Sequence, residues 1–397
     1  MPNGADSLTF RARRLSMSND KPAAGDEKAG QSSAKSTRAR RLSMSPEMNV
    51  TPTNAPFPLH IVGTYSCHGI EPADYGAPNN KINQDRGIII YPFAEKSQNA
   101  LYAFFGVFDG HGACGQLVSQ YAAEQIYKHL EPKIEAIENE SQAPSTSSSG
   151  KNCTAGEEQI KKRDEKITKA LMDSFIHADS SLREDPSIDA ELSGTTAVVC
   201  LCRYDPQVKM MRTFVANAGD SRAVMRTNAY PAEKKDQKPP RHLDLSHDQK
   251  PDTPGEMTRI KKKGGYVSPP EEEWGGPARV WLDQTQTLPG LAMARSIGDH
   301  LVKNIGVIAQ PEVIPYDISL KPDSPDKFLI MASDGVWEFI ESHAAVKLIE
   351  KAIDEKGATA ACQQLIESAA MKWREEEGDY RDDITAICVK FGPELFG

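Results

Sequence analysis

The sequence predicts an α+β domain in which sheets and helices are stacked as layers. Short apolar runs rich in aromatic and β-branched residues indicate buried strands, and longer segments with apolar residues at helical spacing indicate amphipathic helices. Between Ile61 and Phe391 the two kinds of segment follow one another in blocks rather than in strict alternation. This order favours a layered α+β domain over a doubly wound parallel sheet.

The predicted strands end at glycine or aspartate, which are typical turn residues. The strongest apolar runs cover residues 101–108, 195–202, 213–218 and 327–332, and a further strand is expected at 384–391. Each run has the length of an ordinary strand, and none is long enough to be a typical helix.

Three segments carry their apolar residues on one side of a helix, and they cover residues 117–130, 345–353 and 362–373. Two polar stretches, 139–159 and 227–242, are rich in Ser and Thr or in Lys and Pro. We expect both stretches to be surface insertions.

Residues 1–56 contain few large apolar side chains, and we expect this tail to be disordered. Within it, the sequence Arg-Ala-Arg-Arg-Leu-Ser-Met-Ser occurs at 11–18 and again, unchanged, at 38–45. Arg-Arg-Leu-Ser resembles the substrate motif of basophilic kinases such as the cyclic-AMP-dependent kinase, with Ser16 and Ser43 as acceptors. A basic, solvated tail without a defined role explains the pattern equally well, because such short motifs are common by chance.

Composition excludes several classes of protein. The 397 residues carry a net charge of −9, which provides no electrostatic footprint for nucleic acid. Seven scattered cysteines without a Cys-x-x-Cys pair indicate free thiols rather than a zinc site or a disulfide framework. No apolar run in the sequence is long enough to span a membrane. We therefore expect a monomer in the cytosol or nucleus that binds neither nucleic acid nor membrane.

Aspartates stand at the ends of four predicted strands. Asp109, Asp220 and Asp334 each follow an apolar run, and Asp382 precedes one. Several buried carboxylates are stable together only if they are neutralised, and oxygen ligands without cysteine or paired histidine favour Mg²⁺ or Mn²⁺ over zinc. Asp-Gly is also a common turn pair, so any one of these aspartates alone is explained by a turn. Together they support a carboxylate-bridged metal centre that performs hydrolysis.

Seven segments occur in the order of the signature motifs of the type 2C metal-dependent protein phosphatases, also called the PPM family. They are 83–85 (Asn-Gln-Asp), 107–112 (Val-Phe-Asp-Gly-His-Gly), 193–197 (Ser-Gly-Thr-Thr-Ala), 217–223 (Asn-Ala-Gly-Asp-Ser-Arg-Ala), 295–299 (Arg-Ser-Ile-Gly-Asp), 332–337 (Ala-Ser-Asp-Gly-Val-Trp) and 381–385 (Arg-Asp-Asp-Ile-Thr). Each motif is weak alone, but seven in order are very improbable by chance. The chain therefore resembles this family over roughly residues 60–392.

The resemblance implies one catalytic domain at 57–397, built as a four-layer α/β/β/α sandwich of two antiparallel sheets flanked by helices. It also implies a protein phosphatase that hydrolyses phosphoserine and phosphothreonine in phosphorylated protein substrates. In that family the cofactors are two Mg²⁺ or Mn²⁺ ions, with a weaker third, and a hydroxide that bridges two ions attacks phosphorus in line.

By position, the resemblance assigns metal ligands. Asp109 bridges the two ions, and the backbone carbonyl of Gly110 completes one of them. Asp334 and Asp382 hold the other ion, and Asp220 together with Asp334 forms the weaker third position.

The resemblance also assigns roles around these ligands. Asp85 orients metal-bound water, and His111 is the general acid that protonates the leaving oxygen, although a histidine that only fixes the Asp-Gly turn is the alternative. Lys81 takes the place of a phosphate-binding arginine, as a point charge instead of a bidentate fork. A final set of residues is expected to support the structure of the site and to take no part in the chemistry: Thr195, Thr196, Ser221, Arg222 and Asp299.

Two residues depart from the common pattern of the family. Gln84 replaces a glutamate that would otherwise help to hold one ion, and Glu338 stands near the third position where aspartate is common. Both changes are expected to weaken metal binding. The main alternative function is an inactive relative that binds partners, but Asp109, His111 and Asp334 are all retained.

Overall fold

The computed structural model describes residues 40–43, 56–72, 78–140, 152–227, 242–270, 276–321 and 326–396. The strands of this part are β1 (Arg40–Ser43), β2 (Val62–Cys67), β3 (Ile70–Glu71), β4 (Asn79–Asn80), β5 (Arg86–Phe93), β6 (Leu101–Phe108), β7 (Gly110–His111), β8 (Gly194–Thr195), β9 (Ala197–Asp205), β10 (Met210–Ala218), β11 (Arg222–Arg226), β12 (His242–Asp244), β13 (Tyr266–Ser268), β14 (Arg279–Trp281), β15 (Pro289–Leu291), β16 (Ile297–Gly298), β17 (Glu312–Ile318), β18 (Phe328–Ala332) and β19 (Ile384–Lys390). The helices are α1 (Gly115–Glu140), α2 (Asn152–Arg183), α3 (Pro254–Lys262), α4 (Asp334–Trp337), α5 (Ser342–Glu355) and α6 (Ala358–Glu377), with 3₁₀ turns at His300–Ile305 and Pro393–Leu395.

Two antiparallel sheets form the centre of the molecule. The larger has the strand order β1-β5-β6-β9-β10-β17, and the smaller has the order β12-β11-β18-β19-β2. The central strands β6, β9, β18 and β19 are buried along nearly their whole length. Because both faces of these strands are covered, they occur in the sequence as continuous apolar runs instead of alternating ones.

Three apolar cores separate four layers. On β6, Phe104 and Phe108 point to the core shared with α1 and α2, and Phe105 and Val107 point to the core between the sheets. On the far side, Ile330 of β18 belongs to the core shared with α5 and α6. Each fully buried phenylalanine stabilises this packing by roughly 2 kcal/mol through its removal from water. The prediction of a four-layer α+β sandwich is confirmed.

A smaller lobe has a core of its own. α3 and the sheet β13-β14-β15 enclose an apolar cluster that includes Ile260, Val280 and Leu291. Glu256 of α3 accepts hydrogen bonds from Arg259 and from Arg295, which stands in the segment that returns to the sandwich. We call α3 and these three strands the flap.

The second copy of the duplicated motif contributes to the larger sheet. Arg40–Ser43 form β1, in which Ser43 lies opposite Ile88 of β5. The expected disorder of the tail 1–56 therefore does not hold for these four residues, because β5 offers them the backbone hydrogen-bonding groups of a sheet edge. The first copy, with Ser16, lies outside the described residues.

Helices occupy more of the first predicted insertion than its polar sequence indicates. α1 continues to Glu140 and α2 begins at Asn152, so both ends of the stretch 139–159 belong to helices. α2 was not predicted, although its buried apolar residues Ile167, Leu171 and Phe175 recur at a spacing of four. Residues 141–151, and 228–241 of the second insertion, lie outside the described part of the chain. Among the described helices, none combines the length and apolar character that a membrane crossing requires.

Candidate metal centre

The topology brings the predicted aspartates to one end of the sandwich. Asp109 follows β6 and Asp220 follows β10, and these strands run in the same direction because each is antiparallel to β9 between them. Asp334 follows β18, whose end pairs with the start of β11 just after Asp220 and with the start of β19 just after Asp382. Asp85 precedes β5, whose first residue pairs with the last residue of β6. The five carboxylates therefore lie at the strand ends on one end of the sandwich.

These carboxylates are close enough to act on one another. The pKa of Asp109 is held well above its ordinary value by burial and then by the negative charges of Asp85, Asp334, Asp382 and Asp220. Such a cluster is stable at neutral pH only when cations or protons offset its charge.

Within this cluster, two buried carboxylate oxygens have no hydrogen-bond partner among the described residues. They are Oδ1 of Asp85 and Oδ1 of Asp220, and both side chains are only 1% exposed. The second oxygen of Asp85 accepts a hydrogen bond from Ser333 Oγ at 2.7 Å. Unpaired anionic oxygens in a set that lacks cysteine fit a hard divalent cation such as Mg²⁺ or Mn²⁺. The residues present therefore suit the ions that the sequence predicts.

The turn after Asp109 requires glycine. A Cβ at Gly110 would lie 2.4 Å from the carbonyl oxygen of Gly115 and 2.6 Å from that of Gln84. The start of α1 and the Gln84 loop thus pack directly against this backbone, and no side chain fits between them.

His111 forms an ion pair with Asp299. Its Nε2 lies 3.0 Å from Oδ1 and 2.8 Å from Oδ2 of Asp299, and its buried Nδ1 has no partner in the described part of the chain. Burial lowers the pKa of His111, but the charge and hydrogen bond of Asp299 outweigh it and the net pKa is raised. A Cβ at Gly194 would meet both Asp299 and His111, so glycine on β8 is what allows the pair to form.

Comparison with known proteins decides the family. The sequence profile described as Protein phosphatase 2C matches residues 77–377, more than half of the chain. The chain belongs to the protein phosphatase 2C family. It is an enzyme, a protein phosphatase.

Plant relatives support the assignment. The chain is 33% identical over 301 residues to "Probable protein phosphatase 2C 73" of Oryza sativa subsp. japonica, which covers 73% of this chain and 66% of the rice protein. It is 33% identical over 331 residues to "Probable protein phosphatase 2C 61" of Arabidopsis thaliana, with 82% and 87% covered.

A solved structure shares the fold. The crystal structure of serine-threonine phosphatase 2C from Toxoplasma gondii aligns with a TM-score of 0.61 over 89% of this chain and 99% of that chain, at 20% identity. At this level of identity the similarity shows the architecture of the type 2C fold and no more.

Two lysines enter the carboxylate cluster of this type 2C phosphatase. Lys81 Nζ lies 3.1 Å from Asp382 Oδ1, and Lys250 Nζ lies 2.5 Å from Asp220 Oδ2. Among the described residues, no three His, Cys, Asp or Glu side chains are placed closely enough to hold an ion as they stand. Instead, each of the two ammonium groups pairs with one of the carboxylates.

Lys81 is further fixed by Tyr380. Its Nζ lies 3.5 Å from the Tyr380 hydroxyl and 5.2 Å from the centre of the ring. Burial lowers the pKa of Lys81, but the charges of Asp382 and its neighbours outweigh it, so the pKa is raised and the ammonium stays charged.

The residues that depart from the family pattern have other contacts. Gln84 Nε2 donates to the Gly112 carbonyl at 2.7 Å and to Gln116 Oε1 at 3.1 Å, a contact that a glutamate carboxylate cannot make. Gln84 therefore fixes the loop after His111. Glu338, at the end of α4, is exposed to solvent.

Hydroxyl side chains near the aspartates form hydrogen bonds with the backbone and with one another. Thr196 Oγ1 accepts a hydrogen bond from the Asp109 backbone at 3.1 Å and lies 2.7 Å from Ser221 Oγ. Asp383 accepts hydrogen bonds from the backbone of Gly69 at 2.5 Å and of Gln84 at 2.7 Å, which fixes the loop that leads to Asp85.

Sequence reasoning did not predict the roles of Asp299 and Lys250. Asp299 was expected to be scaffold, whereas it holds the ring of His111 directly. Its φ of +51° is rare outside glycine, but no feature of the sequence alone identifies that conformation. No role was predicted for Lys250.

Proposed function

We propose that the protein removes phosphate from phosphoserine and phosphothreonine in other proteins and that the aspartate cluster holds two divalent cations, Mg²⁺ or Mn²⁺. The observation that carries the proposal is the convergence of five aspartates at one end of the sandwich, where the charges of the other four act on Asp109 and one buried oxygen each of Asp85 and Asp220 has no hydrogen-bond partner among the described residues. A purely structural cluster would have its charge balanced within the protein.

In this proposal Asp109, Asp334 and Asp382, with the Gly110 carbonyl, would hold the two cations, and Asp220 would help to hold a weaker third. Cations bound there would lower the pKa of a water and neutralise charge on the phosphoryl group. Asp85 has one oxygen fixed by Ser333, so its second oxygen is available to orient a water.

We assign the general acid to His111. Asp299 holds Nε2 and thereby fixes the ring that would give a proton to the leaving serine or threonine oxygen. The charge of Asp299 stabilises the protonated ring, which is the form that a general acid needs. A histidine that only fixed the Asp-Gly turn would not need a buried carboxylate on its ring.

Lys81 is the proposed ligand of the substrate phosphate. Lys81 now pairs with Asp382, and its ammonium would become available for the substrate phosphate if a cation took its place on that carboxylate. As a point charge, the ammonium attracts phosphate without the bidentate geometry of arginine.

The test is hydrolysis of a phosphothreonine peptide by the purified protein, with and without Mn²⁺ or Mg²⁺. We expect turnover that requires the cation and is lost in Asp109→Ala. Asp317→Ala is the matched control, because the Asp317 side chain is 61% exposed on β17. Turnover without cations would contradict the proposed centre. No turnover by a folded, cation-bound protein would indicate a partner-binding relative.

We propose further that a basophilic kinase phosphorylates Ser16 and Ser43. Both serines lie in the same eight-residue motif, so a difference in phosphorylation between them cannot come from the local sequence. The pairing of β1 with β5 supports slower modification of Ser43, because a kinase must first free that backbone. Treatment of Ser16→Ala and Ser43→Ala with the cyclic-AMP-dependent kinase should label both variants, and label on neither would reject the proposal.

We also propose that the protein is a monomer of the cytosol or nucleus. The six cysteines with described side chains are all free, a state that a reducing compartment maintains. Imaging of a fluorescent fusion and size-exclusion chromatography test both points, and secretion or a stable dimer would contradict them.

A further inference from the structure

Lys250 carries a charge that the proposed reaction does not use. Its Nζ lies 2.5 Å from Asp220 Oδ2, and its positive charge also acts on Asp334 and Asp248. Asp220 and Asp334 are the two aspartates assigned to the weaker third cation. The ammonium of Lys250 therefore lies where that cation would bind.

The backbone around Lys250 is fixed against the loop that carries Asp220. The neighbouring Asp248 receives two hydrogen bonds from Arg222, at 2.9 and 2.7 Å. Gln249 exchanges backbone and side-chain hydrogen bonds with Gly219, at 3.0 and 2.7 Å. Lys250 is thus placed by contacts on its own segment, and the ion pair with Asp220 forms with little loss of backbone freedom.

The Lys250 side chain is also partly exposed to solvent. It is 31% exposed, while Asp220 is 1% exposed. The ammonium can therefore move into solvent while the carboxylate stays in place. The same segment leads into the flap, because the Gln249 carbonyl accepts a hydrogen bond from Ala294 at 2.8 Å and the Lys250 carbonyl accepts one from Thr253 at 3.1 Å.

We propose that Lys250 is a tethered cation that occupies Asp220 in place of the third metal ion and thereby sets the affinity of that position. A metal ion beside Asp220 would bind less tightly while the ammonium stays in place, because the two cations repel each other. This inference rests on the proposed function, since it assumes that the cluster binds divalent cations.

Direct Mn²⁺ binding to the metal-free full-length protein tests the inference, by titration calorimetry and by the electron paramagnetic resonance signal of free Mn²⁺. In Lys250→Met, we expect the weakest site to bind Mn²⁺ about tenfold more tightly and the two tighter sites to change much less. Lys250→Arg keeps the charge and should bind as the wild type does. In the Asp220→Asn background the substitution of Lys250 should have no effect.

Lys327 provides the matched control. It is 33% exposed and paired with Glu350 and Asp354 near the start of β18, at the opposite end of that strand from Asp334. Lys327→Met should leave all Mn²⁺ affinities unchanged. Unchanged weak binding in folded Lys250→Met, with normal binding at the two tighter sites, would overturn the inference and leave the proposed function intact. No Mn²⁺ binding at all by the wild type would reject the proposed function itself.

A measurement on the wild-type protein covers the case in which Lys250→Met does not fold. Acetic anhydride labels free amines, and mass spectrometry gives the labelling rate of each lysine. We expect the rate at Lys250 to rise several-fold as Mn²⁺ fills the third site, and the rate at Lys327 to stay constant. A Lys250 rate that is insensitive to Mn²⁺, in a protein that binds three ions, would overturn the inference.

Discussion

Charged side chains lie at both ends of strand β6, but they are paired with opposite charges at one end and crowded with like charges at the other. At its start, Tyr102 donates to Glu138 Oε1 at 2.6 Å, and Arg203 donates to both oxygens of Glu138 at 2.9 and 3.3 Å. At its end, Asp109 faces four other carboxylates. The first group is balanced by its own side chains, whereas the second is not. A buried charge that keeps its partner is tolerated within a fold, whereas buried charges without enough partners must be offset by cations or protons.

The strongest test of this contrast is Asp109→Asn, which removes one charge from the unbalanced end. We expect turnover to fall by about a thousandfold, because the residue proposed to bridge the cations is lost. Without cations, the free energy of unfolding should stay the same or rise, because one source of repulsion is gone. Chemical denaturation and peptide hydrolysis measure the two effects, and a clear loss of stability in metal-free protein would contradict the contrast.

Arg203→Met tests the balanced end. It leaves Glu138 buried without its cation, and we expect the free energy of unfolding to fall by about 3 kcal/mol. Arg212→Met is the matched control, because the Arg212 pair with Asp164 is more exposed and should contribute less. Neither substitution should alter the affinity for Mn²⁺. Equal losses in both variants would show that the burial of Arg203 has no special role.

Asp299→Asn tests the positioning of His111. We expect kcat to fall by roughly a hundredfold while KM stays nearly constant, because the general acid is lost or misplaced and substrate binding is not. Steady-state kinetics with a phosphothreonine peptide separate the two constants. A rise in KM with unchanged kcat would assign Asp299 to substrate binding instead.

The smallest expected effect is on the acid stability of the fold. Burial raises the pKa of Glu138, but hydrogen bonds from Arg203 and Tyr102 and the charge of Arg203 outweigh it, so the net pKa is lowered. Stability from this group is therefore fully present above the ordinary glutamate pKa and is lost as pH falls below it. In Glu138→Gln, the free energy of unfolding should depend less steeply on pH in this acid range. An unchanged slope would mean that Glu138 does not contribute to acid unfolding.

The sequence predicts the parts of this fold that depend on local pattern. Strands β6 and β18 are continuous apolar runs because helices and a second sheet cover both of their faces. The aspartates that follow these strands can also be predicted, because the end of an apolar run marks the end of a strand in the sequence. Motif order then links these positions to a known family, and the structure brings Asp109 and Asp334 together as that order implies.

Contacts between segments that are distant in the chain could not be predicted from the sequence. The pairing of His111 with Asp299 joins residues 188 positions apart, and that of Lys250 with Asp220 depends on how two loops meet. Both pairs require side-chain distances that only the folded topology sets. β1 could not be predicted either, because Arg40–Ser43 gain their partners from the edge of β5 and have no strong strand pattern of their own.

The measurement that tests the central claim most directly is thermal unfolding of metal-free protein at rising Mn²⁺ concentration. We expect the aspartate end to take up cations and the Glu138–Arg203 end not to. We predict that Tm rises with Mn²⁺ in the wild type and in Arg203→Met, as ligand binding to the folded state requires, and stays nearly flat in Asp109→Ala. A wild-type Tm that does not respond to Mn²⁺, or an equal rise in Asp109→Ala, would contradict the claim.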